Sequence, residues 1–368
     1  MPAGKRRTGP GRSRIAPGAY VFLNLDKTAE GKYGDVVMPS IKDVSIRAGV
    51  SPSTVSRVIT GAVPVDAETR RRVESAIDEL GYRPNLFARG LRNRSARLIG
   101  LMVPEVMHET FSAFIEYTED ACRRHGFTLL LGNTKEDPDI EKKVLETFAG
   151  MSVDGVIVSQ VSDASAIIRD MRERGIPVVG IDRALETEKV DRVVADNRGA
   201  GLLAARYLRS MGHREVLCLG GPTSIKLSRD RWEGFKTYYA QQGCEVPYIE
   251  GSDFGFEAGV QGIRQAFRKG FSFTALWAQS DLIAIGAMKE LVRLGTQVPR
   301  DVSVLGMDDI RLAEMLTPEL TSIRQPLRAM CEHAVDLIVH RLGDPEREAE
   351  TITLETELII RSSVVRRS

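Results

Sequence analysis

Cysteine is scarce in this chain of 368 residues, and its four copies, Cys122, Cys218, Cys244 and Cys331, stand far apart. They make no Cys-x-x-Cys pair and no cluster with histidine. That excludes a disulfide scaffold and a zinc module of ordinary spacing, and buried thiols in a reducing cytoplasm are the simplest reading. The histidines, His108, His125, His213, His333 and His340, are equally scattered, with no nucleophile or carboxylate pattern around them. No Gly-rich phosphate loop follows the first apolar strand and no nucleophile elbow occurs, so an enzyme is not expected, nor any metal or cofactor. Long apolar runs are missing too. Nothing reaches the 18 or so residues that a membrane helix needs. The short stretch Ala19-Tyr-Val-Phe-Leu-Asn-Leu25 runs directly into Asp26 and Lys27, too short for a secretory core. The expectation is a cytoplasmic protein with no membrane contact.

What is present is charge, and it is segregated. The formal net charge is only +1. Residues 38–97 nevertheless hold 11 Lys/Arg against 6 Asp/Glu, and residues 1–37 hold 7 against 3, which leaves an acidic remainder. A basic amino-terminal part on an acidic body suits a protein that sets one end on phosphates and keeps the rest away from them.

Within that basic part, residues 40–61 read as two short helices joined by a tight turn. Val44, Ala48 and Val50 can pack inward with Val55 and Val58, and Gly49 supplies the freedom for the turn. Ser51 is placed to cap the second helix, and Pro52 suits a first position whose N–H has no partner anyway. Pro52, Ser53, Ser56 and Arg57 then lie toward the outward face, where a helix entering a DNA major groove meets bases and phosphates. A third helix is signalled by Asp66 as cap, by Val73, Ala76, Ile77 and Leu80 as apolar stripe, and by Gly81 as stop.

After residue 97 the pattern alternates. Apolar runs at 98–103, 127–131, 155–158, 177–181, 216–219, 275–278 and 302–305 are separated by helical stretches. Continuous apolar strands with intervening amphipathic helices imply parallel sheets covered on both faces.

Together with Tyr82-Arg-Pro-Asn-Leu-Phe-Ala-Arg-Gly-Leu-Arg92, the stretch from Ser40 to about Pro104 resembles the headpiece and hinge of LacI/GalR-family transcription regulators, and the match runs on through nearly all the remaining chain. The fold expected is α/β: a small all-α helix-turn-helix headpiece and a hinge helix, then two doubly wound parallel-sheet lobes of periplasmic-binding-protein type. The divisions expected are a disordered basic extension at 1–37, the headpiece at 38–84, the hinge at 85–96 and the effector-binding and dimerisation core at 97–368. The resemblance implies a homodimeric repressor of carbohydrate-related genes on a pseudo-palindromic double-stranded operator. A small-molecule effector, a sugar or sugar derivative, would control its affinity. The headpiece argues against a plain solute-binding protein of transport.

Residue by residue, the resemblance puts Ser51, Pro52, Ser53, Ser56 and Arg57 on the operator, with Pro52 and Ser53 choosing its sequence. Asn85, Ala88, Arg89 and Leu91 of the hinge join them, Leu91 as a wedge in the minor groove. Gly90 weakens the hinge helix by roughly 1 kcal/mol relative to alanine, so it is marginal alone. For the effector the resemblance implies Thr110, Phe111, Asp182, Arg183, Arg231, Phe254, Gln279, Ser280 and Asp308. Carboxylates and arginines at strand ends beside an aromatic suit a polyhydroxylated ligand. Asp196, Asp281 and Asp309 also read as helix caps or salt-bridge partners. The sequence departs from the family at His108-Glu-Thr-Phe111 and at Gln279-Ser-Asp281, so no particular sugar carries over, and His108 and Glu109 read as loop surface.

Overall fold

A computed structural model describes residues 21–23, 39–60, 63–83, 95–159, 165–183 and 189–367. The chain divides into two compact units, one of residues 25–97 and one of residues 1–24 with 98–368.

The smaller unit is a three-helix cluster. Helix α1 (Ile41–Ala48) opens on a reciprocal cap: Ser40 Oγ accepts from the Asp43 N–H at 3.3 Å, and the Asp43 carboxylate accepts from the Ser40 N–H at 2.7 Å. The Ser40 hydroxyl, which donates to the same carboxylate at 2.7 Å, and the Ser40 N–H hold the Asp43 carboxyl below its ordinary value. Gly49 closes α1 at φ 63°, a left-handed turn residue. Helix α2 (Pro52–Thr60) follows at once, capped by Ser51 Oγ, which accepts from the Thr54 N–H at 3.2 Å. Helix α3 (Ala67–Leu80) is capped by Asp66, which accepts from the Thr69 N–H at 2.8 Å. Val44, Ala48, Val55, Val58, Val73 and Ala76 form the buried centre, and Val50, Ile77 and Leu80, which the apolar spacing also turns inward, pack against it partly buried.

The larger unit holds two sheets. The first has seven strands, β1 (Val21–Leu23), β2 (Leu98–Val103), β3 (Thr128–Asn133), β4 (Gly155–Val158), β5 (Val178–Ile181), β6 (Asp191–Ala195) and β12 (Thr351–Leu354), in the order β1-β3-β2-β4-β5-β6-β12, all parallel. The second has β7 (Val216–Gly220), β8 (Tyr248–Glu250), β9 (Ala275–Ala278), β10 (Ser303–Asp308), β11 (Thr321–Arg324) and β13 (Glu357–Ile359), in the order β13-β11-β10-β9-β7-β8. Among the described strands, only the edge strand β13 runs antiparallel. Strands β2, β4, β5, β7, β9 and β10 are buried throughout, as both-face coverage requires.

Helices α4 (Glu109–Arg124), α5 (Pro138–Gly150), α6 (Ser165–Glu173) and α11 (Leu327–Gly343) cover the first sheet. Helices α7 (Asn197–Ser210), α8 (Lys226–Gln241), α9 (Phe256–Arg268) and α10 (Asp281–Arg293) belong with the second. The chain passes between the lobes three times, from β6 to α7, from β11 to α11 and from β12 to β13.

One expectation needs correction. Val21–Leu23 lies inside the extension read as disordered, yet it forms a strand in register with Leu130–Gly132 at the edge of the first sheet. Three residues are too few to show a period, and the unpaired backbone of an edge strand supplies the partner.

Candidate functional site

The carboxyl ends of the strands of both sheets meet at a cleft lined by residues of both lobes. Backbone strain concentrates there. Asp182, just after β5, has φ 58°; Asp308 and Asp309, at the end of β10, have φ 111° and 56°. A non-glycine residue held in this region costs about 1–3 kcal/mol and is retained where its side chain has a task.

Arg231 on α8 is 2% exposed, and its nearest hydrogen-bond acceptors are neutral. Its Nε donates to Asn197 Oδ1 at 2.8 Å and its Nη1 to the main-chain oxygen of Gln279 at 2.7 Å. Burial pushes its pKa down, against the opposing charges of Asp308 and Asp182. Burial likewise lifts the Asp182 carboxyl, and Arg231 and Arg183 only partly offset it. Asp308 is pushed up to about 7 by burial, although Arg231 and the Gln325 amide, whose Nε2 donates to Asp308 Oδ1 at 2.7 Å, pull the other way.

Arg183 bridges the lobes. Its guanidinium carbon stands 5.5 Å from the ring centre of Phe111 and 5.4 Å from that of Phe254, with Nη1 donating to Glu136 at 2.9 Å. Glu109 ties the same two lobes at the rim, accepting from the Arg311 N–H at 2.8 Å.

The close fit of α7 on α8 brings Asn197 to Arg231. Each helix offers a glycine where the other's backbone passes. A Cβ on Gly201 would sit 2.0 Å from the Arg231 carbonyl oxygen, and one on Gly234 would sit 2.1 Å from that of Arg198.

Of the nine residues expected at the effector, the cleft brings together Thr110, Phe111, Asp182, Arg183, Arg231, Phe254, Ser280 and Asp308. Gln279 is the exception. It is fully buried behind the lining, its amide exchanging hydrogen bonds with Ser228 (Ser228 Oγ to Oε1 2.7 Å, Nε2 to the Ser228 oxygen 3.1 Å), so it acts on the cleft only through its backbone oxygen under Arg231. The side chain turns inward because Ser228 on α8 gives it partners that open solvent would otherwise supply. Ser280 lines the cleft, but its hydroxyl caps α10 by accepting from the Ile283 N–H and donates to the Phe254 oxygen at 2.6 Å, fixing the aromatic. The structural alternatives describe two of the three aspartates: Asp196 caps α7 and Asp309 pairs with Arg324 and Arg361, whereas Asp281 is neither cap nor ion-pair partner and accepts from Ser322 Oγ and the Ile310 N–H.

Three lining residues escaped the sequence: His108, Leu227 and Gln325. Leu227 stands four residues before Arg231 on α8, a spacing that shares a helix face and was available as a signal. Gln325 follows β11, whose four residues Thr-Ser-Ile-Arg show no apolar run. His108 read as loop surface, but its ring is largely buried in the lining, because the Phe111 ring packs against it with centres 5.5 Å apart. Several buried polar atoms in this wall have no protein partner among the described residues: both ring nitrogens of His108, Thr110 Oγ1, Asp182 Oδ1 and Gln325 Oε1.

In the smaller unit, Ser51, Pro52, Ser53 and Arg57 are exposed and Ser56 half-buried along one side of α2, with Val55 and Val58 on the other. Ser51 Oγ is within 2.7 Å of Ser53 Oγ and 2.9 Å of Thr54 Oγ1. Asn85, Ala88, Arg89 and Leu91 lie outside the described residues.

Comparison with known proteins agrees with this division. Residues 40–85 match the model for bacterial regulatory proteins of the lacI family, and residues 205–364 match a periplasmic binding protein-like domain. The HTH-type transcriptional repressor PurR of Vibrio parahaemolyticus serotype O3:K6 (strain RIMD 2210633) is 34% identical over 331 residues, 89% of this chain and 99% of that one. Among solved structures, the complex of the transcriptional regulator CelR with cellobiose is 30% identical, with a TM-score of 0.67 over 88% of this chain and 99% of the other. The lac repressor dimer bound to operator and the anti-inducer ONPF is 26% identical, with a TM-score of 0.78 over 89% and 99%. With its helix-turn-helix cluster, its two-lobed core and a relative alike along almost the whole length, this chain belongs to the lacI family of bacterial regulatory proteins.

Proposed function

We propose that the chain is a homodimeric repressor whose affinity for a pseudo-palindromic operator is set by a small hydroxylated molecule, a sugar or sugar derivative, in the cleft between the lobes. The observation that carries this reading is the wall of buried, unpartnered donors and acceptors around Arg231 and Asp308, a surface that needs a polar guest. The relatives support the rest: one is named a transcriptional repressor, one was solved with cellobiose and one as a dimer on its operator.

In this reading residues 38–84 read the operator through Ser51, Pro52, Ser53, Ser56 and Arg57. Residues 85–96 add Asn85, Ala88, Arg89 and Leu91, and residues 97–368 bind effector and dimerise. The guest prefers one lobe arrangement, and that preference shifts the paired hinges and so the hold on DNA. No chemical conversion is involved, and the protein works in the cytoplasm.

The test is a gel-shift titration of the full chain on genomic fragments it selects, with D-ribose, D-xylose, D-glucose and cellobiose added in turn. Salt-dependent binding that one sugar changes, with the sugar recovered intact, is expected. Binding indifferent to all four, or a sugar turned into product, contradicts the proposal.

A further inference from the structure

We propose that His108 reads the effector directly, its imidazole hydrogen-bonding a hydroxyl of the molecule held in the cleft. This rests on the cleft being the effector site. His108 occupies the N-cap of α4 but makes no side-chain cap hydrogen bond. N-cap positions favour Ser, Thr, Asp and Asn, and a side chain that does not cap forgoes about 1 kcal/mol. The ring is instead packed at the wall of the cavity, against Phe111.

Both ring nitrogens are buried and neither has a protein partner among the described residues. A buried polar atom left unpaired costs roughly 1–3 kcal/mol. Thr110 Oγ1, Asp182 Oδ1 and Gln325 Oε1, which belong to residues 5%, 8% and 5% exposed, are in the same position in the same wall. So many unmet groups around one cavity describe a site completed by a guest rather than a packing fault.

The charge state narrows what His108 does there. Burial, with Arg183 and Arg231 nearby, pushes its pKa down to about 4, and Glu136 and Glu105 oppose this only in part. At neutral pH the ring is uncharged, with one nitrogen donating and the other accepting. A hydroxyl, which can do either, satisfies such a ring at whichever nitrogen it meets. His108 therefore adds a hydroxyl-reading position to the guanidinium and carboxyl groups of the cleft, at the point where the chain departs from its family's loop.

The test uses the full chain as wild type, His108→Asn and His108→Phe. Asn is a good N-cap but too short to reach far into the cleft; Phe fills the volume with no polar atom. Without sugar, both variants are expected to melt at or above the wild-type temperature. Titrated with D-ribose, D-xylose, D-glucose and cellobiose, the wild type is expected to be stabilised by at least one, and both variants to bind that sugar about tenfold more weakly, roughly 1.4 kcal/mol. Variants that bind it as well as wild type, or that both melt lower without sugar, overturn the assignment. Should no sugar stabilise the wild type, the carbohydrate reading fails by itself. The sugar-free melting temperatures still decide His108: variants that melt at or above wild type uphold a ring that does not serve the fold, and a fall in both removes the assignment.

Discussion

Arg231 donates to the main-chain oxygen of Gln279 at 2.7 Å, so the most deeply buried cation of the cleft is aimed by the backbone of the loop after β9. An arginine without a carboxylate at hydrogen-bond range depends heavily on such neutral acceptors. The second is Asn197, which also donates from Nδ2 to the Ala195 oxygen at 3.1 Å and so joins Arg231 to the first crossing between the lobes.

Asn197→Ala leaves Arg231 Nε without that acceptor in the interior. The expected loss of stability is about 1–3 kcal/mol by urea denaturation, accompanied by a weaker stabilisation by any sugar that protects the wild type. An unchanged denaturation midpoint would mean that Arg231 finds another acceptor.

Gly234→Ala should be costlier than an exposed glycine substitution. Its Cβ would lie 2.1 Å from the Arg198 carbonyl oxygen, and a backbone atom cannot swing aside as a side chain can. Overpacking of this kind costs typically 1–3 kcal/mol. Because Arg231 is three residues earlier on α8, the displacement also moves the cleft. A lowered melting temperature together with a lost sugar response is expected.

The acidity of Asp308 makes a pH prediction. Its carboxyl titrates at about 7 when folded and near 3.8 when exposed. Between those values the folded chain keeps a proton that the unfolded chain has released, so this residue's contribution to stability declines as pH rises through the window and is level above it. Asp182 and Asp281, also raised by burial, act in the same direction. Melting temperatures from pH 4.5 to 8 (roughly the span between those two titrations) should fall more steeply for the wild type than for Asp308→Asn. Parallel curves would show that Asp308 is ionised throughout.

On the DNA side, Arg57→Ala should weaken binding to operator and to unrelated DNA and reduce the slope of log affinity against log salt by about 1, if Arg57 neutralises one phosphate. A loss confined to the operator would make it a base reader instead. Leu91→Ala should leave folding and sugar binding intact while operator affinity falls sharply in a gel-shift titration; undiminished affinity would remove the wedge.

The helix-turn-helix cluster was legible because its boundaries carry their own chemistry, Ser51 and Asp66 as caps and Gly49 and Gly81 as left-handed stops, while the cap at Ser40 emerged only in the structure. The buried strands were legible as unbroken apolar runs, and the family resemblance placed the nine effector residues, of which eight reach the cleft, Asp182, Arg183, Ser280 and Asp308 from strand ends and the others from helices and loops. What stayed hidden are strands without such a run. Strand β6 alternates in burial, β12 reads Thr-Ile-Thr-Leu with half its residues exposed, and β8 and β13 have three residues each. Their pairing is decided by partners far along the chain, and with β11 and β12 unseen, Gln325 had no strand end to mark it. Gln279 shows the opposite error: at the right position after β9, its side chain was captured by Ser228, a contact no local spacing reveals.

The three passages between the lobes have a consequence for how the molecule can be divided. They are short, leaving Asp196, residues 325–326 and residues 355–356 as connectors. They join strands that are neighbours in both sheets, β6 beside β12 and β11 beside β13, and the Asp196 N–H donates to the Leu354 oxygen at 2.8 Å across two of them. A gene cut once at residues 325–326 leaves neither sheet whole, since the first then lacks β12 and the second lacks β13, whereas a cut at Asp196 keeps all strands of the second sheet together and a cut at 355–356 keeps all strands of the first. Connectors laced together in this way run side by side, so that any displacement of one lobe against the other must pass through all of them at once.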